Sequence, residues 1–129
     1  MSKRILVAED SSVIQNLTRR VLTMQSYDIV SVKNGAQVLE KLEKENFDLL
    51  LLDLNMPVMD GVECAQKVRE NSMPKIKDIP IIAITGNAQN LSLEDFHDLG
   101  INDYLPKPLN YDDMVVMVNK YLTDKFIEE

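Results

Sequence analysis

Phe47-Asp48-Leu49-Leu50-Leu51-Leu52-Asp53 is the stretch that decides the fold. A strand with one wet face alternates apolar and polar residues. Four consecutive leucines break that alternation and predict a strand, Phe47 to Leu52, buried on both faces, as in parallel sheets covered by helices on each side. The run ends on a carboxylate, Asp53. From there to Gly61 the chain reads as loop, punctuated by Pro57 and Gly61.

The same grammar extends outward. Ile5 to Ala8 is a second continuous apolar run and ends on Glu9-Asp10. Asp10 or Ser11 can cap the helix that follows, with Val13, Ile14, Leu17, Val21 and Leu22 expected on its buried face. Ile29 to Val32 is a short strand. Asn34-Gly35 reads as a turn, and Ala36, Leu39 and Leu42 as a second helical stripe. Beyond the central loop, Val62, Ala65, Val68 and Arg69 mark a third helix. Asn71 to Asp78 reads as a polar connection, and Ile79 to Ile84 as a fourth strand with Pro80 near its start. Ser92 can cap a helix to about Leu99, with Gly100 as its C-terminal stop. Asp103 to Leu105 is a fifth strand, and Pro106-Lys107-Pro108 breaks the chain. Asn110 caps a last helix with Met114, Val115, Val118, Tyr121 and Leu122 inward. Five strands alternating with five helices predict a doubly wound α/β sandwich.

With 129 residues and 45% apolar side chains, the chain suits a single domain, 1–129, whose core needs no staple. Cys64 is the one cysteine, which rules out an internal disulfide and suggests a reducing, cytoplasmic setting. No apolar run reaches the ~18 residues a bilayer demands. From Leu91 onward three basic face nine acidic side chains, so no basic stripe is offered to nucleic acid or an anionic membrane.

In a doubly wound sheet, function gathers beyond the carboxyl ends of the strands. The residues there are Glu9 and Asp10, Asp53, Thr85 and Lys107. Clustered carboxylates repel, by about 4 kcal/mol per pair at 4 Å and an effective dielectric of 20. A hard divalent cation would neutralise them. Oxygen ligands favour Mg²⁺, Mn²⁺ or Ca²⁺ over Zn²⁺. Asp53, ionised at neutral pH, is the candidate nucleophile toward phosphorus, and Lys107 and Thr85 are candidate partners of the phosphoryl oxygens.

At these residues the sequence resembles the receiver domains of two-component response regulators. The match rests on Glu9-Asp10, Asp53 with Met56-Pro57-Val58-Met59-Asp60-Gly61, Thr85-Gly86-Asn87-Ala88, and Lys107-Pro108. The wording around Pro57 and Ile81 is closest to receivers of hybrid histidine kinases. The resemblance implies a flavodoxin-like, CheY-like sheet in the order 2-1-3-4-5. It implies phosphorylation of Asp53 by a phosphohistidine of a histidine kinase or a histidine phosphotransfer domain. Mg²⁺ (or Mn²⁺) would be held by Glu9, Asp10, Asp53 and the backbone carbonyl of Asn55. Lys107 would grip the phosphoryl group, Thr85 and Tyr104 would act as switch residues, and Lys107-Pro108 would be cis. Asn55 and Asn87 would flank the path of hydrolytic water. A downstream protein would dock on the face of the fourth helix, fifth strand and last helix. Such a protein is a switch, not a turnover enzyme.

Several features qualify this expectation. Gly86 stands where many members have Ala, leaving room beside Thr85. The helix around Leu91 to Leu99 carries no Lys or Arg, which argues for a monomer or weak dimer. His97 reads as a solvated helix residue and Cys64 as a buried one. Three other readings compete. A haloacid-dehalogenase-type phosphatase needs a second Asp at position 55, which is Asn. A flavodoxin-like cofactor binder needs a hydroxyl-rich phosphate loop where Glu9-Asp10 stands. A receiver-like scaffold would never be phosphorylated.

Overall fold

A computed structural model describes residues 2–86 and 91–123. Strands β1 (Arg4–Ala8), β2 (Asp28–Val32), β3 (Leu49–Asp53), β4 (Ile81–Thr85) and β5 (Asp103–Pro106) form one sheet in the order β2-β1-β3-β4-β5. Every pairing is parallel. The helices are α1 (Ser12–Met24), α2 (Gly35–Lys44), α3 (Gly61–Arg69), α4 (Pro74–Lys77), α5 (Leu93–Asp98) and α6 (Tyr111–Thr123). This is the expected doubly wound fold and strand order. None of the helices is long and apolar enough to cross a membrane, among the described residues.

The four leucines explain the sandwich. All are fully buried. Leu50 and Leu52 join Leu6, Ile81 and Ala83 against Val38, Leu42, Cys64, Val68 and Phe96, the layer of α2 to α5. Leu49 and Leu51 join Ile5, Val7 and Ile82 against Leu22, Met114, Val118 and Leu122, the layer of α1 and α6. Successive side chains of one strand thus feed opposite cores. Each buried leucine contributes about 1.5–3 kcal/mol. The chain runs outward from β1 to β2, then returns to place β3 on the other side of β1. That reversal opens the crevice between the carboxyl ends of β1 and β3.

Some local expectations change. The connection 71–78 contains α4, a single turn with Pro74 at its start and Ile76 buried beneath it. One turn is too short to show a period. Asn34 caps α2 rather than forming a free turn, accepting from the Gln37 N–H at 2.9 Å; Ala36 is exposed while Val38 is buried. The inward face of α1 is Gln15, Thr18 and Leu22, whereas Val13 and Leu17 are 69% and 41% exposed. Gln15 occupies that face as a donor to the carbonyls of Glu9 and Val32 at the strand ends. On α6, Met114, Val118 and Leu122 are buried, and Val115 and Tyr121 half-buried.

After α1 the chain turns through Ser26 in the left-handed region, at φ +71°. Its N–H donates to the Thr23 carbonyl at 2.9 Å, and the next N–H, of Tyr27, reaches Leu22. Glycine adopts this conformation without the Cβ penalty. Ser26→Gly should therefore stabilise the domain by about 0.5–1 kcal/mol. The readout is a higher urea midpoint at unchanged slope.

Candidate functional site

Four strand ends converge on the crevice. Asp53 is the last residue of β3 and only 1% exposed. The Asn55 N–H donates to its Oδ1 at 2.8 Å. Lys107 Nζ donates to Oδ1 at 3.0 Å and to Oδ2 at 3.1 Å, so one ammonium spans both carboxylate oxygens. Lys107 follows β5 directly. Its N–H donates to the Thr85 carbonyl at 2.9 Å, and the Lys107-Pro108 peptide is cis. Thr85 closes β4 and is buried.

Glu9 follows β1. Its N–H donates to the Val32 carbonyl at 3.0 Å, and its Oε2 accepts from the Ser11 N–H at 2.9 Å. Ser11, not Asp10, caps α1: its Oγ accepts from the Ile14 N–H at 3.4 Å. That leaves Asp10 exposed with its carboxylate toward the crevice rim. Glu9, Asp10 and Asp53 each bring an oxygen within 4.8 Å of the others. Burial pushes the Glu9 carboxyl up to about 7, and the charge of Asp53 adds to that. The Ser11 N–H and the Lys107 ammonium pull the other way.

The donor set fits a hard cation. It is all oxygen, and no His or Cys belongs to the cluster. Glu9 Oε1 is buried and has no hydrogen-bond partner among the described residues. An unpaired buried carboxylate oxygen costs free energy that a divalent ion would recover.

Tyr104 lies on β5 with its ring stacked on Phe96 of α5, centroids 4.5 Å apart at 19°. It is half-buried against the α2–α5 core, so β5 and α5 share one aromatic contact. A Cβ on Gly86 would meet nothing within 4 Å among the described residues. Val58, in the loop after Asp53, is 83% exposed at φ +70°, a strained conformation for a β-branched residue. His97 is exposed, with Nε2 3.0 Å from the Asn102 carbonyl, and Cys64 is buried. Asn87 and Ala88 lie outside the described residues.

Sequence reasoning missed Gln15. It sits on α1 among residues read as an apolar stripe, yet it is buried and donates to two backbone carbonyls, those of Glu9 and Val32. The available signal was position: a long amide one turn after a strand-end carboxylate can reach back to the strand.

Comparison with known proteins bears on the whole arrangement. The family model described as the response regulator receiver domain matches residues 5–119. The CAI-1 autoinducer sensor kinase/phosphatase of Vibrio cholerae is 37% identical over 118 residues, covering 92% of this chain and 17% of that protein. A hybrid signal transduction histidine kinase of Dictyostelium discoideum is 35% identical, covering 98% of this chain and 8% of that protein. The chain thus spans a small part of these relatives. Among solved structures, the magnesium-bound receiver domain of a Pseudomonas aeruginosa sensor histidine kinase has a TM-score of 0.84 at 29% identity, over 95% of this chain and 98% of that one. A Thermotoga maritima response regulator in complex with Mg²⁺ and beryllium fluoride has a TM-score of 0.79 at 33% identity, over 92% and 98%. A match of that span, with relatives this similar along nearly the full chain, makes the protein a member of the response regulator receiver domain family.

Proposed function

We propose that Asp53 accepts a phosphoryl group from a phosphohistidine, borne by a histidine kinase or a histidine phosphotransfer domain in the cytoplasm. The chain 1–129 acts as one such receiver. The observation that carries this reading is the Lys107 ammonium spanning both oxygens of a buried Asp53, beside a Glu9 oxygen with no partner among the described residues. Mg²⁺ or Mn²⁺ would be held by Glu9, Asp10, Asp53 and the carbonyl of Asn55. When bound it would supply positive charge against the phosphoryl oxygens.

The chain's own groups account for the rest. Asp53 is a carboxylate and needs no base. Its Oδ1 takes both the Asn55 N–H and the ammonium, so Oδ2 is the less encumbered oxygen and the nucleophile. As the Asp53 O–P bond forms, the P–N bond of the phosphohistidine breaks and its electron pair returns to the imidazole. Lys107, already within 3.1 Å of both oxygens, transfers its hydrogen bonds to the phosphoryl group. Thr85 offers a hydroxyl from the end of β4. Its movement frees Tyr104 to repack, and the Phe96 stack carries that change to α5. A downstream protein would sense it on the α5–β5–α6 face, where a groove of about 640 Å³ is lined by Leu93, Tyr104, Pro106, Val116 and Met117. Helix α5 holds Glu94, Asp95 and Asp98 without Lys or Arg, so self-association there is weak.

Incubation with acetyl phosphate and Mg²⁺, followed by intact mass, tests the reading. One phosphoryl group should be gained by the wild type and none by Asp53→Asn. No gain from acetyl phosphate or from a phosphorylated kinase would leave the unphosphorylated scaffold instead.

A further inference from the structure

The geometry points to Gln15 as the positioning residue that sets the angle between the two consecutive carboxylates of the cation site. This rests on the cation reading proposed above. Gln15 is buried on α1, and its single amide nitrogen donates to the Glu9 carbonyl at 3.0 Å and the Val32 carbonyl at 3.1 Å. The Val32 carbonyl also accepts the Glu9 N–H at 3.0 Å. Glu9 is therefore held at its N–H by the end of β2 and at its carbonyl by α1.

The consequence is geometric. A peptide unit is a rigid plane. Pinning the Glu9 carbonyl oxygen fixes the rotation of the plane joining Glu9 to Asp10. That rotation decides where the Asp10 side chain leaves the backbone relative to Glu9. No other hydrogen bond to the Glu9 carbonyl is present among the described residues. The hydrogen bonds of the Gln15 amide go to backbone carbonyls, not to the carboxylates. It acts through the backbone that carries them.

Cation size gives a readout that a merely structural role would not move. Mg²⁺ demands near-ideal octahedral geometry, whereas Ca²⁺ accepts more ligands in a flexible arrangement. Loosening the Glu9–Asp10 plane should therefore penalise Mg²⁺ more than Ca²⁺. Outer groups that orient metal ligands typically alter affinity by about 10–100-fold.

The experiment titrates Mg²⁺ and Ca²⁺ separately, each metal alone, into wild type and Gln15→Met by calorimetry, with urea unfolding alongside. Gln15→Met keeps the length and apolar stem but donates no hydrogen bond. Mg²⁺ affinity should fall at least about tenfold and Ca²⁺ affinity less. Equal losses for the two ions, or no loss, in folded protein would overturn the assignment. Should Gln15→Met not fold, Gln15→Asn retains a shorter amide and is judged by the same ratio. A wild type that binds neither ion would instead refute the cation site itself, so the two failures are distinct.

Discussion

Gly61→Ala will destabilise the domain by about 3 kcal/mol, at the upper end of what overpacking a core costs. Gly61 is buried where α3 begins, immediately after its cap Asp60. A Cβ there would lie 2.6 Å from both Cα and Cδ2 of Leu54 and 2.7 Å from the carbonyl oxygen of Asp53. Two of these atoms are backbone at the carboxyl end of β3, so no rotamer change relieves the contact. The helix must back away from the strand, and the Gly61 N–H to Leu54 carbonyl bond at 3.1 Å goes with it. Against a typical total of about 5–15 kcal/mol, such a loss is readily seen as a lower urea midpoint. Gly86→Ala is the control. Its Cβ meets nothing within 4 Å among the described residues, so the domain should keep its stability to within about 0.5 kcal/mol. A Gly61→Ala loss under about 1 kcal/mol would mean that the β3–α3 junction yields far more easily than its packing implies. The displaced backbone belongs to Asp53, so phosphorylation of the folded fraction should slow as well.

This dependence of the site on a glycine eight residues away shows which parts of the molecule are legible in sequence. Ile5–Ala8 and Leu49–Leu52 announce themselves because both faces of each strand are buried, and burial leaves a continuous apolar run. The crevice residues Glu9, Asp53, Thr85 and Lys107 are legible for a related reason. The first three are each the first polar group after or at the end of such a run, Lys107 follows the short β5 between two prolines, and parallel strands bring those ends together. What is illegible depends on tertiary contacts that leave no period. Helix α1 turns Gln15 inward, where it donates to the Glu9 and Val32 carbonyls, and leaves Val13 at the surface. Helix α4 buries only Ile76 and has only four residues. The orphaned Oε1 of Glu9 is equally hidden, since the sequence shows a carboxylate but not its burial or its partners.

That orphaned oxygen underlies the second large effect. Without divalent cation at pH 8, Glu9→Gln should be more stable than wild type, by about 2–3 kcal/mol. Burial raises the Glu9 carboxyl from 4.5 to about 7 in the folded protein. Between those values the native state holds more protons than the unfolded chain. The linkage slope is then negative, and wild-type stability falls as pH rises through this window, by at most about 1.4 kcal/mol per unit. Below pH 4.5 the carboxyl is protonated in both states and no penalty is felt; above about 7 the penalty is complete. Glutamine has no such titration. Its carbonyl can still accept the Ser11 N–H, and its amide can donate toward Asp53. Urea unfolding of both proteins from pH 4.5 to 8 should show the gap opening with pH, and a gap independent of pH would refute the burial argument. Mg²⁺ should then reverse the order. At a thousandfold excess over the dissociation constant, binding adds about 4.1 kcal/mol to the wild type. The variant, one carboxylate short, should gain less. The group that makes the metal-free domain less stable at pH 8 would then be the one that makes it respond to the ion.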